Sequence, residues 1–300
     1  MLRARALGFA VALGASGCGN EIVLGDSALA LPETPATAGS GAGGAGGTSG
    51  AGGSLGGSEA SGGVTAGTPS APISPAGELV WSTDHEVGDW SDWERGGMFY
   101  GGEYEWGDVN AYVDIGVGRD GSNGVVVDIN TNSRSEPSSG GRLYRRIEAG
   151  PAYYRAWFRL EDAHSVSDWW SIFLFHARDD SLSLDNDVSL WDVRVVDGQS
   201  GGMALQFFDH DVMQGTLAGR KGNIVDNEWF ELEAYLDYRP PNATRLAIWL
   251  NGTQLFDMKG LHTAAQTNVF WSIGNGAAKL DPADSTLDLD DAAIHRASAP

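Results

Sequence analysis

His176 closes the run Trp169-Trp170-Ser171-Ile172-Phe173-Leu174-Phe175-His176, and an imidazole can take a proton near neutral pH. Leu174 shares its face, because side chains two apart on a strand point the same way. The run reads either as an active-site strand lacking a polar partner at 174 or as a core strand that ends in histidine. Upstream, Arg142, Tyr144 and Arg146 alternate on one strand. Tyr153, Arg155, Trp157 and Arg159 alternate on the next, with Glu148-Ala149-Gly150-Pro151 between them. Read as a hairpin, that link sets Arg146 opposite Tyr153, Tyr144 opposite Arg155 and Arg142 opposite Trp157. Aromatic faces stack on sugar rings, and guanidinium forks grip carboxylate or sulfate through two bonds. Such a surface suits an acidic glycan. The same residues also fit an outer sheet face held by cross-strand cation–π pairs, with Tyr154, Ala156, Phe158 and Leu160 as the core-facing set.

Carboxylates gather at two distant places, Asp84-His85-Glu86 with Asp89 near the start of the tryptophan-bearing region and Asp288-Leu289-Asp290-Asp291 near its end. If the first and last strands pair, Asp84, Glu86, Asp290 and Asp291 converge. A hard oxygen set of that kind suits calcium; the alternative is a solvated acidic edge. Glu231 and Glu233 share one strand face and, with Tyr235, would border a groove. His164, His210 and His262 have no metal-ligand spacing and read as surface residues. The Glu-x-Asp-x-x-Glu of a retaining glycosidase is absent, as are a Ser-His-Asp order and a phosphate loop.

These side chains need a scaffold, and the 300-residue chain supplies it unevenly. Arg3 and Arg5, the apolar run Ala6 to Leu13 and the small residues up to Cys18 form a secretory signal pattern, too short to remain as a membrane helix. Ala15-Ser16-Gly17-Cys18 resembles a bacterial lipobox, which would make Cys18 the lipidation site; the alternative is ordinary secretion, with Cys18 lost in the signal. It is also the one cysteine, so no intrachain disulfide can form. Residues 19–72 turn into a Gly/Ala/Ser/Thr tract with no apolar surface to offset chain entropy, a disordered linker. As a coil of about 50 residues it would hold the tryptophan-bearing region roughly 40 Å from a membrane.

All 11 tryptophans fall in residues 73–300, a normal size for one all-β domain. Period-two runs at Tyr153–Leu160, Trp169–His176, Met203–Asp209, Trp229–Leu236 and Asn268–Ile273 read as strands. Arg245–Leu250 and Thr253–Asp257 flank Asn251-Gly252, a hairpin signal. Many short strands without helical periodicity imply a two-sheet antiparallel sandwich of the jelly-roll kind. The net charge of −21 argues against nucleic acid as a partner. The whole reads as an exported, monomeric protein of a bacterial cell envelope, with a membrane contact only through the lipid.

Taken together, Trp81-Ser82-Thr83-Asp84-His85-Glu86-Val87-Gly88-Asp89, Tyr153-Tyr154-Arg155-Ala156-Trp157-Phe158, Trp169-Trp170, Trp249-Leu250-Asn251-Gly252 and Asp290-Asp291 resemble the concanavalin A-like polysaccharide lyases. The pattern is that of the heparin lyase and alginate lyase groups, over residues 78–296. The resemblance implies a glycan groove and β-elimination on a uronic acid. There a polar group or arginine neutralises the carboxylate, His or Tyr takes the C5 proton, and Tyr protonates the leaving oxygen. It also implies Gln-x-His on a central strand and Gly-x-Tyr on a late one. This chain has Leu174-Phe175-His176 and Gly274-Asn275-Gly276 there, so His176 matches, the glutamine is Leu174 and the tyrosine is Gly276. Arg134-Ser135-Glu136 resembles an alginate lyase triplet, though Pro137 comes directly after it. Three functions stay open: a divergent lyase with one of Arg142, Arg146 or Arg155 in the glutamine's role, a non-catalytic binder of acidic polysaccharide, and a purely structural surface protein.

Overall fold

Period-two alternation becomes strands, and burial follows the period. In Pro151–Leu160, Ala152, Tyr154, Ala156, Phe158 and Leu160 are buried and the side chains between them are partly exposed. The structure is a computed structural model that describes residues 77–95, 100–132, 137–148, 150–178, 187–198, 201–239, 243–263 and 268–297. Cys18, the 19–72 linker and Arg134-Ser135-Glu136 lie outside those residues.

In chain order the strands are β1 (Leu79–Thr83), β2 (Gly101–Trp106), β3 (Asp108–Asp114), β4 (Gly124–Asn130), β5 (Ser138–Arg146), β6 (Pro151–Leu160), β7 (Ser165–Arg178), β8 (Val188–Asp197), β9 (Met203–Asp209), β10 (Gln214–Leu217), β11 (Asn223–Ile224), β12 (Phe230–Asp237), β13 (Thr244–Leu250), β14 (Thr253–Leu261), β15 (Asn268–Asp281) and β16 (Asp284–Arg296). A turn of α-helix, α1 (Ser91–Glu94), lies after β1. Two antiparallel sheets of eight strands result. Sheet A runs β14-β13-β12-β6-β16-β4-β3 with β1 also on β16; sheet B runs β10-β9-β8-β7-β15-β5-β2 with β11 also on β9. This is the jelly-roll sandwich expected from the strand pattern.

The first and last strands do pair, Thr83 standing opposite Ala292. The Asn251-Gly252 turn joins β13 to β14 with φ of 48° and 76°, the two left-handed residues that a tight type I′ hairpin requires. Between the sheets lies an apolar core that includes the ring cluster Trp81, Trp93 and Trp271. One buried polar bridge crosses it. Asn275 on β15 donates from Nδ2 to the carbonyls of Val127 and Ser285, both 3.1 Å away in sheet A, and accepts from Trp170 Nε1 at 2.8 Å.

The predicted hairpin between Arg142–Arg146 and Tyr153–Arg159 does not form. β5 lies in sheet B between β15 and β2, while β6 lies in sheet A between β12 and β16. The short link crosses the sandwich instead of turning within a sheet. The Ile147 amide still bonds to Val269 in sheet B, and Gly150 then takes φ of 119°, open to glycine, before Pro151. Arg142, Tyr144 and Arg146 therefore face away from the core on one side of the molecule. Tyr153, Arg155, Trp157 and Arg159 face away on the other.

Candidate active site

The outer face of sheet B is built around His176. β15 pairs with both β7 and β5 and sets Phe270 opposite His176 on one side and Arg146 on the other. β2 lies beyond β5, with Tyr104 opposite Arg142. His176, Tyr144 and Arg142 thus share a face through an intervening strand. His176 is fully buried, its ring 6.4 Å from Tyr144, 6.5 Å from Tyr104 and 5.4 Å from Phe270.

Asp187 orients the imidazole. Its Oδ1 lies 2.5 Å from His176 Nδ1. With the carboxylate ionised, Nδ1 carries the hydrogen and donates it, so Nε2 is left as the lone-pair nitrogen. Nε2 has no hydrogen-bond partner among the described residues. Burial holds the imidazole below its ordinary pKa; Asp187 pulls it up, and Arg178 and Arg142 push it down again. At neutral pH the ring is a neutral base.

Two guanidinium groups stand beside it. Arg142, 3% exposed, donates from Nη2 to the Ser171 carbonyl at 2.9 Å, and its Nη1 has no partner among the described residues. Arg178 is 2% exposed and lies over Tyr144 and Phe270 at 4.6 and 4.8 Å. Its Nη2 is 3.6 Å from Asp187 Oδ2, too far for a hydrogen bond. Arg142 and Arg178 thus both keep unsatisfied N–H groups near the imidazole, which favours an incoming anion. Arg146 lies further out, over Tyr100 at 5.9 Å.

Gly276 has a physical reason to be glycine. A Cβ built there would come within 2.8 Å of the Trp106 ring and 3.1 Å of Arg142 Nη2. Gly140 faces the same ring, at 2.3 Å. Trp106, stacked on Tyr104 at 5.6 Å and 22°, occupies the space a side chain at 276 would need. Both rings are partly exposed and border the cluster. Leu174, 6% exposed, stands opposite Ser272 and Asp192.

Comparison with solved structures fits this architecture. An endo-β-1,4-glucuronan lyase from the fungus Trichoderma reesei superposes with a TM-score of 0.55 at 11% identity, over 73% of this chain and 95% of that one. The cellulose-induced protein Cip1 gives 0.49 at 16% identity, over 73% and 99% of the two chains, and alginate lyase Aly36B gives 0.47 at 16%, over 73% and 98%. The chain shares its two-sheet fold with the glucuronan lyase. No family model matches the sequence, and no curated protein matches it by sequence.

The remaining candidates disperse. On the outer face of sheet A, Arg119 rather than Arg142 lies over Trp157, at 3.6 Å. Arg159 bonds Asp288 at 2.7 Å and lies over Trp229 at 5.2 Å. Burial pushes buried Asp288 up to about 6 against the pull of Arg159. Glu86, Asp290 and Asp291 do meet one loop, residues 119–123, yet donors already take oxygens of all four carboxylates. Asp290 accepts from the amides of Arg119 and Asp291 and from Ser122 Oγ, Asp291 pairs with Arg119, Glu86 accepts from the Asn123 amide, and Asp84 accepts from the Glu86 amide. Among the described residues no group of three His, Cys, Asp or Glu is placed to hold a metal. These residues do not fit calcium as they stand, and the chemistry proposed for this chain does not use it. His164 is no surface residue: it is buried, with Nδ1 at 2.9 Å from the Pro282 carbonyl. His210 and His262 pair with Asp192 and Asp211.

A cavity of about 850 Å³ opens at the end of the sandwich, bordered by Tyr100, Arg146, Glu148, Tyr154 and Arg296. Arg296 there is paired with Glu78 and Glu148, and no imidazole lines it. The candidate base, His176, lies elsewhere, on the outer face of sheet B. Four participants there were not singled out from the sequence: Tyr104, Trp106, Arg178 and Asp187. Arg178 carried a signal, since it stands two residues after His176 and shares its face. The Tyr104-Glu105-Trp106 alternation carried another.

Proposed function

We propose that the outer face of sheet B binds a uronate-containing polysaccharide and cleaves it by β-elimination. The observation that carries this reading is the buried, unpartnered Nε2 of His176, held neutral beside Arg142 and Arg178. The free N–H groups of the two arginines take the uronate carboxylate and draw charge off C5 as its proton leaves. Nε2 accepts that proton, a double bond forms between C4 and C5, and the C4–O bond breaks with its electron pair on oxygen. Tyr104 supplies the proton to that oxygen. Burial raises its pKa, with Arg142 opposing, so the phenol is protonated at neutral pH. Trp106 offers a ring face to the neighbouring sugar. Because Nε2 is enclosed, a covering side chain must move before proton transfer.

The test is incubation with a panel of uronate polymers while absorbance of the unsaturated product is followed. Wild-type protein should produce it, and His176→Ala should lose at least about 10³-fold in kcat while still binding, because a proton-transfer group acts in the transition state. Salt-sensitive binding with no product from any uronate polymer would overturn the elimination and leave a binding protein, the reading that enclosure of Nε2 favours.

A further inference from the structure

We infer that the outer face of sheet A carries a second glycan site, for a sugar bearing a protonated amine, centred on Glu233 and ringed by Tyr153, Tyr235 and Trp249. Sheet register puts these residues together. Glu233 on β12 stands between Trp249 on β13 and Arg155 on β6, and one step along the same face Tyr235 stands beside Tyr153. The rings of Tyr153 and Tyr235 are 5.1 Å apart, and those of Tyr153 and Trp249 are 6.4 Å apart. All three are partly exposed. Their strand neighbours Leu232, Ala234, Leu236, Ile248 and Leu250 point into the core. The aromatic surface is therefore not needed to fill the interior.

Charge decides what would lie on it. Glu231 and Glu233 share this face with one guanidinium between them, and Arg155 Nη1 approaches Glu231 Oε1 at 3.9 Å. Glu233 has no hydrogen bond or ion pair among the described residues. Burial, then Glu231, pushes its carboxyl up to about 7 against the pull of Arg155. The other groups facing it do not answer its charge. Arg245 lies over Tyr235 and is bound to Asp257, and His295, opposite Tyr153 on β16, is held below its ordinary pKa by burial and Arg155. Both His295 ring nitrogens and Arg155 Nε are buried without partners among the described residues, so none of these nitrogens pairs with Glu233.

A neutral sugar would stack here and leave Glu233 unpaired, and a uronate would add a third carboxylate. A sugar ammonium pairs with Glu233 and lies over aromatic faces at once, an arrangement that favours cations. The site is the electrostatic opposite of the His176 cluster and does not rest on the lyase reading.

Calorimetric titration with oligosaccharides of glucosamine and of N-acetylglucosamine tests it. The glucosamine oligomer should bind at least about tenfold tighter. Glu233→Gln should erase that preference, and Trp249→Ala should weaken both ligands. The preference should peak near pH 7 and fade on either side, as Glu233 takes up its proton below and the sugar ammonium loses its own above. Equal affinity for the two oligomers, a preference that survives Glu233→Gln, or no binding to either would overturn the proposal. Uronate cleavage is read by a different product, so the two proposals fail separately.

Discussion

The two outer faces carry similar side chains and use them in opposite ways. On sheet B, arginines and tyrosines surround His176 with little solvent contact, and several N–H groups are left unsatisfied. On sheet A, arginines are spent on carboxylates and rings: Arg159 on Asp288 and Trp229, Arg119 on Asp291 and Trp157, Arg245 on Asp257 and Tyr235. What separates the faces is the sign of the charge left unanswered: guanidinium N–H groups beside His176 on sheet B, the Glu233 carboxyl on sheet A. An unsatisfied buried donor costs on the order of 1–3 kcal/mol, so a fold that keeps several together holds an anion site ready. A satisfied pair at partial exposure contributes little to either stability or binding.

The largest effect should come from breaking what both faces share. Asn275 joins sheet B to two carbonyls of sheet A and takes the Trp170 N–H. Asn275→Ala strands those groups in a core where nothing replaces them. We expect a loss of about 3 kcal/mol in denaturant unfolding. A loss under about 1 kcal/mol would mean that the two sheets are held together by apolar packing alone.

The next effect belongs to sheet B alone. Asp187 does not reach substrate in the mechanism; it fixes the His176 tautomer. Asp187→Asn should lower kcat on a cleaved uronate polymer by about 10²-fold or more, with KM little changed. The pH profile separates orientation from mere packing. The base must be neutral, so activity falls as pH drops through its pKa, which burial already places below the ordinary histidine value. Asp187 raises that pKa, so its removal should move the acid limb to still lower pH. An unmoved limb would show that Asp187 acts by packing.

Much of the fold was legible because strand alternation and turn chemistry are local. Met203–Asp209 has the bounds read from sequence, Asn251-Gly252 makes its hairpin, and the even positions of β6 fill the core. The partition of Arg142–Arg159 was not legible. A four-residue link serves a hairpin or a sheet crossing equally well, and the choice is made by strands far away in sequence: β15 and β2 flank β5, and β12 and β16 flank β6. His176 and Arg142 could be singled out from the sequence, and the side chains that surround them in the structure could not, for the same reason. Tyr104 reaches the site from an edge strand, and Asp187 from the residue before β8. Gly276, read as a missing tyrosine, is glycine because Trp106 lies against it.

The smallest effect belongs to sheet A and concerns stability. Glu233 has its carboxyl raised from 4.5 to about 7. A carboxyl whose folded pKa lies above its unfolded value binds its proton more tightly in the folded state. Its favourable contribution is therefore complete below about 4.5 and lost as pH rises through about 7. Above that the protein holds a half-buried carboxylate that water would solvate better. Glu233→Gln removes the ionisation, so the variant should be more stable than wild type above about pH 7, by about 1 kcal/mol once solvent screening of a half-exposed group is allowed for. The gap should close as pH falls towards 4.5. Wild type as stable as the variant at alkaline pH would mean that Arg155 offsets the burial of the Glu233 carboxylate. Sheet A would then present a neutral aromatic surface, without the unanswered charge that sets it against sheet B.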